Sequence, residues 1–174
     1  MSHAAAITLI PAAPADALPL AQLSRDLIEH GLPWSWRAER VIRHIREPES
    51  VVLLARSGPE IAGFGIMDYR RVHAHLNLLA VAPRWRRSGI GRRIVAWLEE
   101  TAIVAGLEWI DLELRAGNRG ARQFYEQLGY HALEYVPGYY RGRESALRMR
   151  RRLRQPARGP AGGAGDTRDG GTEP

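Results

Sequence analysis

The stretch Arg86-Arg87-Ser88-Gly89-Ile90-Gly91-Arg92-Arg93 decides the fold of this chain, because it joins an apolar segment to an amphipathic one. Residues 73–81 are almost continuously apolar after His75 and predict a strand, while residues 90–105 carry apolar side chains at helical spacing. Glycines let a backbone approach a ligand closely, and the N–H groups at a helix start attract anions. The flanking arginines add charge-assisted hydrogen bonds. The turn therefore predicts a seat for a pyrophosphate group, with a solvated basic turn as the alternative.

Two common phosphate-binding motifs are excluded at this turn. A P-loop requires a lysine followed by serine or threonine, and this chain contains no lysine. The dinucleotide-binding fingerprint requires a third glycine at the position that Ile94 occupies. The predicted anion site is therefore of another kind.

The periodicity of the flanking sequence predicts the remaining elements. Strands are expected at residues 5–10, 51–56, 61–70, 73–81, 109–115, 130–135 and 146–153. Helices are expected at residues 16–30, 35–46, 90–105 and 118–128, with Ser35 and Asn118 as caps and with Glu99 on the polar side of the third. Strands and helices alternate only in the middle of the chain. We therefore expect an α/β (α+β) fold, a mixed central sheet of about seven strands with helices on its faces.

Length and composition indicate one folded domain at residues 1–154 and a disordered Gly/Pro-rich tail at residues 155–174. The tail contains six glycines, three prolines and no apolar residue larger than alanine. Hydrophobic residues make up 45% of the chain, which is enough for a core. The chain has no cysteine, which excludes disulfides, thiolate metal sites and cysteine nucleophiles, and no metal cluster is visible. With neither a secretory signal nor a membrane-length apolar run, we expect a cytoplasmic protein without a membrane partner.

The net charge is +6, and all 25 basic residues are arginine. A basic run at residues 148–154 raises the alternative of nucleic-acid binding. Strand alternation places Arg148, Arg150 and Arg152 on one face, so a solvated strand face explains most of this run. The pattern therefore argues against nucleic acid as a partner, and the sequence makes no prediction of the oligomeric state.

Two motifs resemble those of the GCN5-related N-acetyltransferases. Arg86-x-x-Gly89-x-Gly91, after the strand Leu78-Leu79-Ala80-Val81, is similar to the acetyl-CoA loop of that family. Residues 112–118, followed by residues 121–130 with Phe124-Tyr125, resemble its second cofactor segment. The resemblance covers about residues 5–153. It is greatest to the ribosomal-protein alanine N-acetyltransferases, whose Glu-x-Arg-x-x-Asn motif is similar to residues 113–118, with Tyr125 seven residues after the Asn.

This resemblance implies a GNAT fold with splayed fourth and fifth strands. It also implies transfer of an acetyl group from acetyl-CoA to a primary amine, first of all the N-terminal α-amine of a protein or peptide. A small amine or amino acid is the alternative acceptor. A non-catalytic acyl-CoA sensor is an alternative of another class, beside the nucleic-acid-binding protein.

The resemblance assigns cofactor contacts to the splayed strand, the turn and the helix that follows the fifth strand. The residues are Leu79, Ala80, Val81, Arg86, Arg87, Ser88, Gly89, Ile90, Gly91, Arg92, Asn118 and Tyr125. It also implies that the Leu79 amide donates to the thioester oxygen. A plain core strand is the alternative for residues 79–81.

Three residues are candidate catalysts. Tyr125 is the candidate general acid, although its apolar helix stripe also suits a core tyrosine. Glu113 matches the family's base by position, and burial of a glutamate is costly without a function. His75 is the other candidate base, with an exposed strand-end histidine as its alternative. A base is not essential, because an α-amine has a pKa near 8. By resemblance, the acceptor contacts are Trp34, Trp36 and Tyr139.

Overall fold

The structure, a computed structural model, describes residues 6–153. The strands are β1 Ile7–Pro11, β2 Ser50–Ser57, β3 Glu60–Tyr69, β4 His73–Val81, β5 Trp109–Arg115, β6 His131–Tyr140 and β7 Glu144–Arg152. The helices are α1 Ala17–Leu27, α2 Ala38–Arg46, α3 Ile90–Val104 and α4 Arg119–Gln127. All seven predicted strands and four predicted helices are present. The predicted tail at residues 155–174 lies outside the described residues.

The strands form one sheet in the order β1-β2-β3-β4-β5-β7-β6. Strands β4 and β5 pair in parallel, and every other neighbouring pair is antiparallel. The parallel pair follows from α3, which returns the chain along the sheet between the two strands. The prediction of a mixed sheet is confirmed.

The helices cover both faces of the sheet, as predicted. One core lies between the sheet and the first two helices, and it includes Leu20, Val41, Leu54, Phe64 and Ile66. The other lies against α3 and α4, and includes Leu53, Met67, Ile94, Leu98, Leu112 and Met149. Neighbouring residues of β2, such as Leu53 and Leu54, belong to opposite cores because strand side chains alternate.

A β-bulge at Asn77 divides β4 into two halves. Leu76 pairs with Met67 and Leu78 pairs with Ile66, so Asn77 is an extra residue on β4. The bulge reverses the direction of the side chains: Leu76 packs in the α3/α4 core and Leu78 in the α1/α2 core. Pairing of β4 with β5 also stops at Leu76. Within the described chain, the edge of β4 that faces β5 has no strand partner beyond this point, which confirms the splayed fourth and fifth strands.

Glycines in β3 allow α3 to lie close to the sheet. A Cβ atom on Gly65 would stand 2.9 Å from Cγ2 of Ile94, and one on Gly63 would stand 2.8 Å from the Ala80 carbonyl oxygen. Larger side chains here would push the start of α3 away from β4. The position of the arginine-glycine turn therefore depends on β3 as well as on its own sequence.

Two local predictions are wrong. Ser35 does not cap α2: the residue before that helix is Arg37, and the Ser35 hydroxyl bonds the Glu29 carboxylate instead. Glu99 is not on the solvent face of α3 but only 9% exposed. It is buried because Arg151 and the Tyr130 hydroxyl donate hydrogen bonds to it. Burial still raises the pKa of Glu99, despite these partners.

Among residues 6–153, no helix is both long enough and apolar enough to cross a lipid bilayer. This part of the chain also holds no group of three or more His, Cys, Asp or Glu side chains arranged to bind a metal ion.

Candidate active site

The arginine-glycine turn leads directly into α3. Gly89 precedes the helix with φ of 81°, in the left-handed region that favours glycine. The first helical hydrogen bond joins the Arg93 amide to the Gly89 carbonyl at 3.1 Å. The amides of Ile90, Gly91 and Arg92 come before it and have no carbonyl of this helix to bond. The turn therefore offers backbone donors to an anion.

Three arginines of the turn add charge. Arg86, Arg87 and Arg92 are exposed, and none has a carboxylate partner within residues 6–153. Arg93 instead bonds the Ile7 carbonyl at 3.0 Å, which ties the start of α3 to β1. Three guanidinium groups are thus available to an anion at this helix end.

Gly91 has a packing role beside the predicted ligand role. A Cβ atom on Gly91 would lie 3.3 Å from Cζ of Phe124, on α4. The absence of a side chain at Gly91 lets the first turn of α3 pack against α4. A substitution at Gly91 therefore affects helix packing as well as the turn.

A cavity of about 660 Å³ runs through the gap between β4 and β5. Its lining comes from both faces of the sheet and from the segment between α1 and α2. The candidate residues that line it are Trp36, His75, Leu79, Glu113, Asn118, Tyr125 and Tyr139. Residues from the two cores can meet here because the splayed strands leave the sheet open.

His75 and Glu113 form a direct pair inside this cavity. Nε2 of His75 lies 2.9 Å from Oε2 of Glu113, whose side chain is only 7% exposed. The other carboxylate oxygen accepts a hydrogen bond from Nε of Arg148 at 2.8 Å. Burial raises the pKa of Glu113, but the hydrogen bonds from His75 and Arg148 outweigh it, so the pKa is lowered. The two residues that the sequence offers as alternative bases are therefore in contact.

The parallel register of β4 and β5 brings this pair together. His75 stands opposite Asp111, and Glu113 is the next residue of β5 on the same face. Glu113 also stands opposite Arg148 of β7, which supplies its second partner. Three strands from distant parts of the sequence thus hold one carboxylate.

Tyr125 enters the cavity from α4, on the opposite face of the sheet. It is 8% exposed and makes edge-to-face contacts with Phe124 and Tyr130. Burial, together with the nearby Tyr140, raises the pKa of Tyr125 above that of an ordinary phenol. Tyr125 both packs in the core and lines the cavity, so its position is compatible with a core role and with the predicted role of general acid.

Asn118 caps α4, as the sequence predicts. Its side-chain oxygen accepts a hydrogen bond from the Ala121 amide at 3.0 Å, and Asn118 also lines the cavity. The cap fixes the start of the helix that carries Tyr125.

Not every candidate residue reaches the cavity. Trp34 stacks against the guanidinium groups of Arg25 and Arg37, and its Nε1 donates to the Trp36 carbonyl at 3.1 Å. Ala80 packs in the α1/α2 core. The side chain of Val81 packs against the other core, and its carbonyl accepts from Nε of Arg86. These residues support the site without lining the cavity.

Sequence reasoning missed several cavity residues. Asn77, Tyr140 and Glu29 line the cavity and were not predicted there. Asn77 is placed by the bulge, which has no local sequence signal. Arg115 lies in the motif that carries the resemblance, yet its contacts with the α1–α2 segment depend on long-range packing.

A second cavity of about 640 Å³ shares His75, Asn77, Glu113 and Tyr139 with the first. Its wall carries Arg148 and Arg150 of β7, which are paired with acids of β5. Arg150 bonds Asp111 through both carboxylate oxygens at 2.6 and 2.7 Å, and Arg148 bonds Glu113. On the other face Arg151 pairs with Glu99. Three arginines of the basic run are thus neutralised, which weakens the nucleic-acid alternative.

A mixed seven-stranded sheet that opens between its parallel strands is an acetyltransferase architecture. This chain belongs to the Acetyltransferase (GNAT) family, whose family model matches residues 21–130.

Curated relatives include N-alpha-acetyltransferase 20 of Dictyostelium discoideum, 40% identical over 83 residues that make up 47% of either chain. The ribosomal protein bS18 alanine N-acetyltransferase of Escherichia coli K12 is 29% identical over 123 residues, 69% of this chain and 81% of the relative. The chain spans about half the length of the first curated relatives that it matches.

Solved structures show the same fold. Ard1 from Thermoplasma volcanium superposes with a TM-score of 0.76 at 24% identity, over 86% of this chain and 99% of that one. The Escherichia coli ribosomal-protein-S18-alanine N-acetyltransferase superposes with a TM-score of 0.75 at 24% identity, over 90% and 99% of the two chains. The predicted GNAT fold is therefore confirmed.

Proposed function

We propose that this protein is an N-acetyltransferase that moves an acetyl group from acetyl-CoA to the N-terminal α-amine of a protein or peptide. The observation that carries the proposal is the cavity between β4 and β5, because it joins His75 and Glu113 on one face of the sheet to Tyr125 on the other. A proton acceptor and a proton donor on opposite sides of one gap suit acyl transfer, in which one atom loses a proton and another gains one.

The arginine-glycine turn fits the phosphates of acetyl-CoA. The free amides at the start of α3 would hold the pyrophosphate together with Arg86, Arg87 and Arg92, which have no carboxylate partner among residues 6–153. The edge of β4 at residues 77–81 that has no strand partner leads from this turn toward the cavity. The backbone groups of this edge would hold the pantetheine arm of the cofactor. When bound, acetyl-CoA supplies the acetyl thioester and a thiolate leaving group.

The proton balance assigns a role to each side of the cavity. The amine nitrogen forms a bond to the carbonyl carbon while the carbon–sulfur bond breaks. The amine proton goes to the His75–Glu113 pair, and the departing sulfur takes a proton from the Tyr125 hydroxyl. The Tyr125 hydroxyl carries this proton at neutral pH, because even an ordinary phenol has a pKa near 10.

The geometry of the pair favours His75 as the group that receives the amine proton. An ionised carboxylate only accepts hydrogen bonds, so Nε2 of His75 carries the proton that faces Glu113. Nδ1 then keeps a lone pair and can accept a proton. Glu113, whose pKa is lowered, stays ionised and stabilises the imidazolium that forms. Glu113 thus assists His75 rather than competing with it.

A peptide α-amine suits this site better than a lysine side chain. An α-amine has a pKa near 8, so a useful fraction is neutral at pH 7, whereas few lysine amines are. The relatives from Dictyostelium discoideum and Escherichia coli are named as N-alpha- and alanine N-acetyltransferases, which supports the same acceptor class.

Since the chain has no cysteine and needs no oxidising compartment, we also propose that it acts in the cytoplasm.

The test is thiol release from acetyl-CoA with a panel of acceptors. The panel holds peptides with a free α-amine, the same peptides with that amine blocked, peptides with a lysine only, and small amines and free amino acids. We expect thiol release and an acetylated product only with the free α-amine. Thiol release with the lysine peptides or small amines alone would show that these are the acceptors instead. Thiol release with no member of the panel would overturn the enzyme assignment.

A further inference from the structure

The cavity has a wall that neither the phosphate turn nor the catalytic pair provides. This wall is the acceptor-side segment, residues 28–36 between α1 and α2. Its members along the cavity are Ile28, Glu29, His30, Leu32, Pro33, Ser35 and Trp36. The segment contains no helix or strand hydrogen-bond ladder of its own beyond the last turn of α1. Other groups must therefore hold it in place.

Arg115 holds the first part of this segment. Its Nη2 donates to the carbonyl of Ile28 at 2.9 Å and also to the carbonyl of His30. Its Nη1 donates to the Glu144 carboxylate at 3.0 Å, at the start of β7. One guanidinium group thus joins the end of β5 to both the acceptor-side segment and β7. Because Glu113 lies two residues earlier on β5, the segment is fixed relative to the catalytic pair.

Glu29 holds the last part of the segment. Its Oε1 accepts from the Ser35 amide at 2.7 Å and from the Ser35 hydroxyl. Its Oε2 accepts from the Trp36 amide at 3.1 Å and from the Ser24 hydroxyl at 3.3 Å. Glu29 is 7% exposed, and no arginine or histidine of residues 6–153 pairs with it. A buried carboxylate without a cation depends on these four donors, so the segment and the carboxylate hold each other.

These two side chains belong to the acceptor half of the site. The donors for phosphate lie at the start of α3, and neither Arg115 nor Glu29 contacts that turn through its side chain. The Arg115 carbonyl does accept from the Asn118 amide at 2.8 Å, but a side-chain substitution leaves that backbone bond in place. A defect at either residue should therefore affect the acceptor and spare the cofactor.

We propose that Arg115 and Glu29 are positioning residues that fix the acceptor-side segment and thereby determine how the acceptor amine is bound. This inference rests on the proposed function for the identity of the acceptor. It assigns the selectivity of the enzyme to the buried Glu29 and the partly buried Arg115, which act through the segment that they hold.

The test compares Arg115→Met and Glu29→Gln with the control Arg122→Met. Arg122 is exposed on α4, where it pairs with Glu126 away from the cavity, so its variant makes the same chemical change outside the site. We expect the KM for the acceptor peptide to rise between about tenfold and a hundredfold in the two test variants. We expect the Kd for acetyl-CoA, from calorimetry, to stay within about twofold of the wild-type value.

Conservative variants and hydrogen exchange separate positioning from a general loss of structure. Arg115→Lys keeps the positive charge but loses the planar guanidinium group, which donates to several partners at once. Its KM for the acceptor peptide should lie between those of Arg115→Met and the wild type. The amides of Ser35 and Trp36 should exchange faster in Glu29→Gln while the amides of α3 keep their protection. An unchanged acceptor KM with unchanged exchange would overturn the inference, as would a parallel loss of acetyl-CoA binding. The exchange readout needs no turnover, so it distinguishes failure of this inference from failure of the proposed function.

Discussion

Nε2 of His75 on β4 lies 2.9 Å from Oε2 of Glu113 on β5, across the last paired residues of the two parallel strands. The bulge residue Asn77 lies two residues further along β4, and the pairing of the two strands ends at Leu76. The pair thus sits at the apex of the opening, where an acceptor on one face can meet a thioester held on the other. Arg148 secures Glu113 from the opposite side.

The contact between His75 and Glu113 predicts that the two residues act as one unit. His75→Gln and Glu113→Gln should each lower kcat/KM by about 10²-fold, and the double variant should lose little more. The measurement is a double-mutant cycle on steady-state rates with a free-amine peptide. If the double variant instead showed the sum of the two free-energy losses in kcat/KM, the residues would act independently and the prediction would be wrong. Asp111→Asn is the matched control, because Asp111 lies on the same strand face but pairs with Arg150 instead.

The same pair predicts the source of the acidic limb in the pH profile. The pKa of Glu113 is lowered, so this carboxylate keeps its charge as the pH falls through the range where histidines ordinarily titrate. Protonation of Glu113 should therefore not produce a limb of kcat/KM between about pH 5 and 8, and a limb found in that range should survive in Glu113→Gln. A limb that persists in His75→Gln would mean that another group receives the amine proton.

Tyr125→Phe should lower kcat by about 10²–10⁴-fold, because it removes only the proton that the departing sulfur needs. Acetyl-CoA affinity and the melting temperature should hold, since the ring and its packing remain. The raised pKa of Tyr125 means that the phenol keeps its proton to a higher pH than usual, so no alkaline loss from this group is expected below about pH 10. Tyr135→Phe is the control, because Tyr135 is exposed on β6 and does not line the cavity. An active Tyr125→Phe would leave Tyr125 as a core residue only.

Gly89→Ala should weaken acetyl-CoA binding by at least about tenfold, because φ of 81° strains any other residue and the turn would shift. The strain also costs about 1 kcal/mol of stability. Gly106→Ala is a matched control at the far end of α3: its φ is 77°, and an added Cβ would likewise meet no atom within 4 Å. Calorimetry should show lost affinity in Gly89→Ala alone, while both variants lose similar stability. Equal affinities would remove the turn from the cofactor site.

Asp68 predicts a dependence of stability on pH. Burial raises its pKa, but hydrogen bonding led by His44, whose Nδ1 is 3.0 Å from Oδ1, lowers it from 3.8 to about 2. A depressed folded-state pKa stabilises the fold above the unfolded value and loses that contribution as the pH falls from about 4 toward 2. At pH 7, Asp68→Asn should therefore cost about 2 kcal/mol in denaturant unfolding, and the difference should shrink below pH 4. The exposed Asp26 provides the control, since Asp26→Asn should change stability by less than about 0.5 kcal/mol.

Local patterns were sufficient to predict the helices, the strands and the arginine-glycine turn. The apolar run of β2 and the helical stripe of α3 are visible in the sequence, because each depends on a short segment of the chain. Gly89 before α3 and Asn118 before α4 are signals of the same local kind. Glu113 and Tyr125 came from a motif resemblance, which identifies residues without their contacts.

Contacts between distant segments were beyond any local pattern. Ser35 reads as a helix cap, yet it donates to Glu29, because the burial of that carboxylate depends on how α1 and α2 pack. The sequence pattern predicts Glu99 to be a surface residue, yet Arg151 of β7 bonds it from the sheet face on which α3 packs. Long-range pairing overrides local preference wherever a buried charge needs partners.

The sequence by itself thus determined the strands, the helices and the arginine-glycine turn before α3, since these follow from periodicity and from backbone chemistry within a few residues. Only the tertiary structure decided that His75 and Glu113 form one pair and that Tyr125 reaches the same cavity from the opposite face. It also decided that Arg115 and Glu29 hold the segment between α1 and α2. The physical reason is that each of these contacts depends on strand register and on the bulge at Asn77, which are set by the packing of the whole sheet.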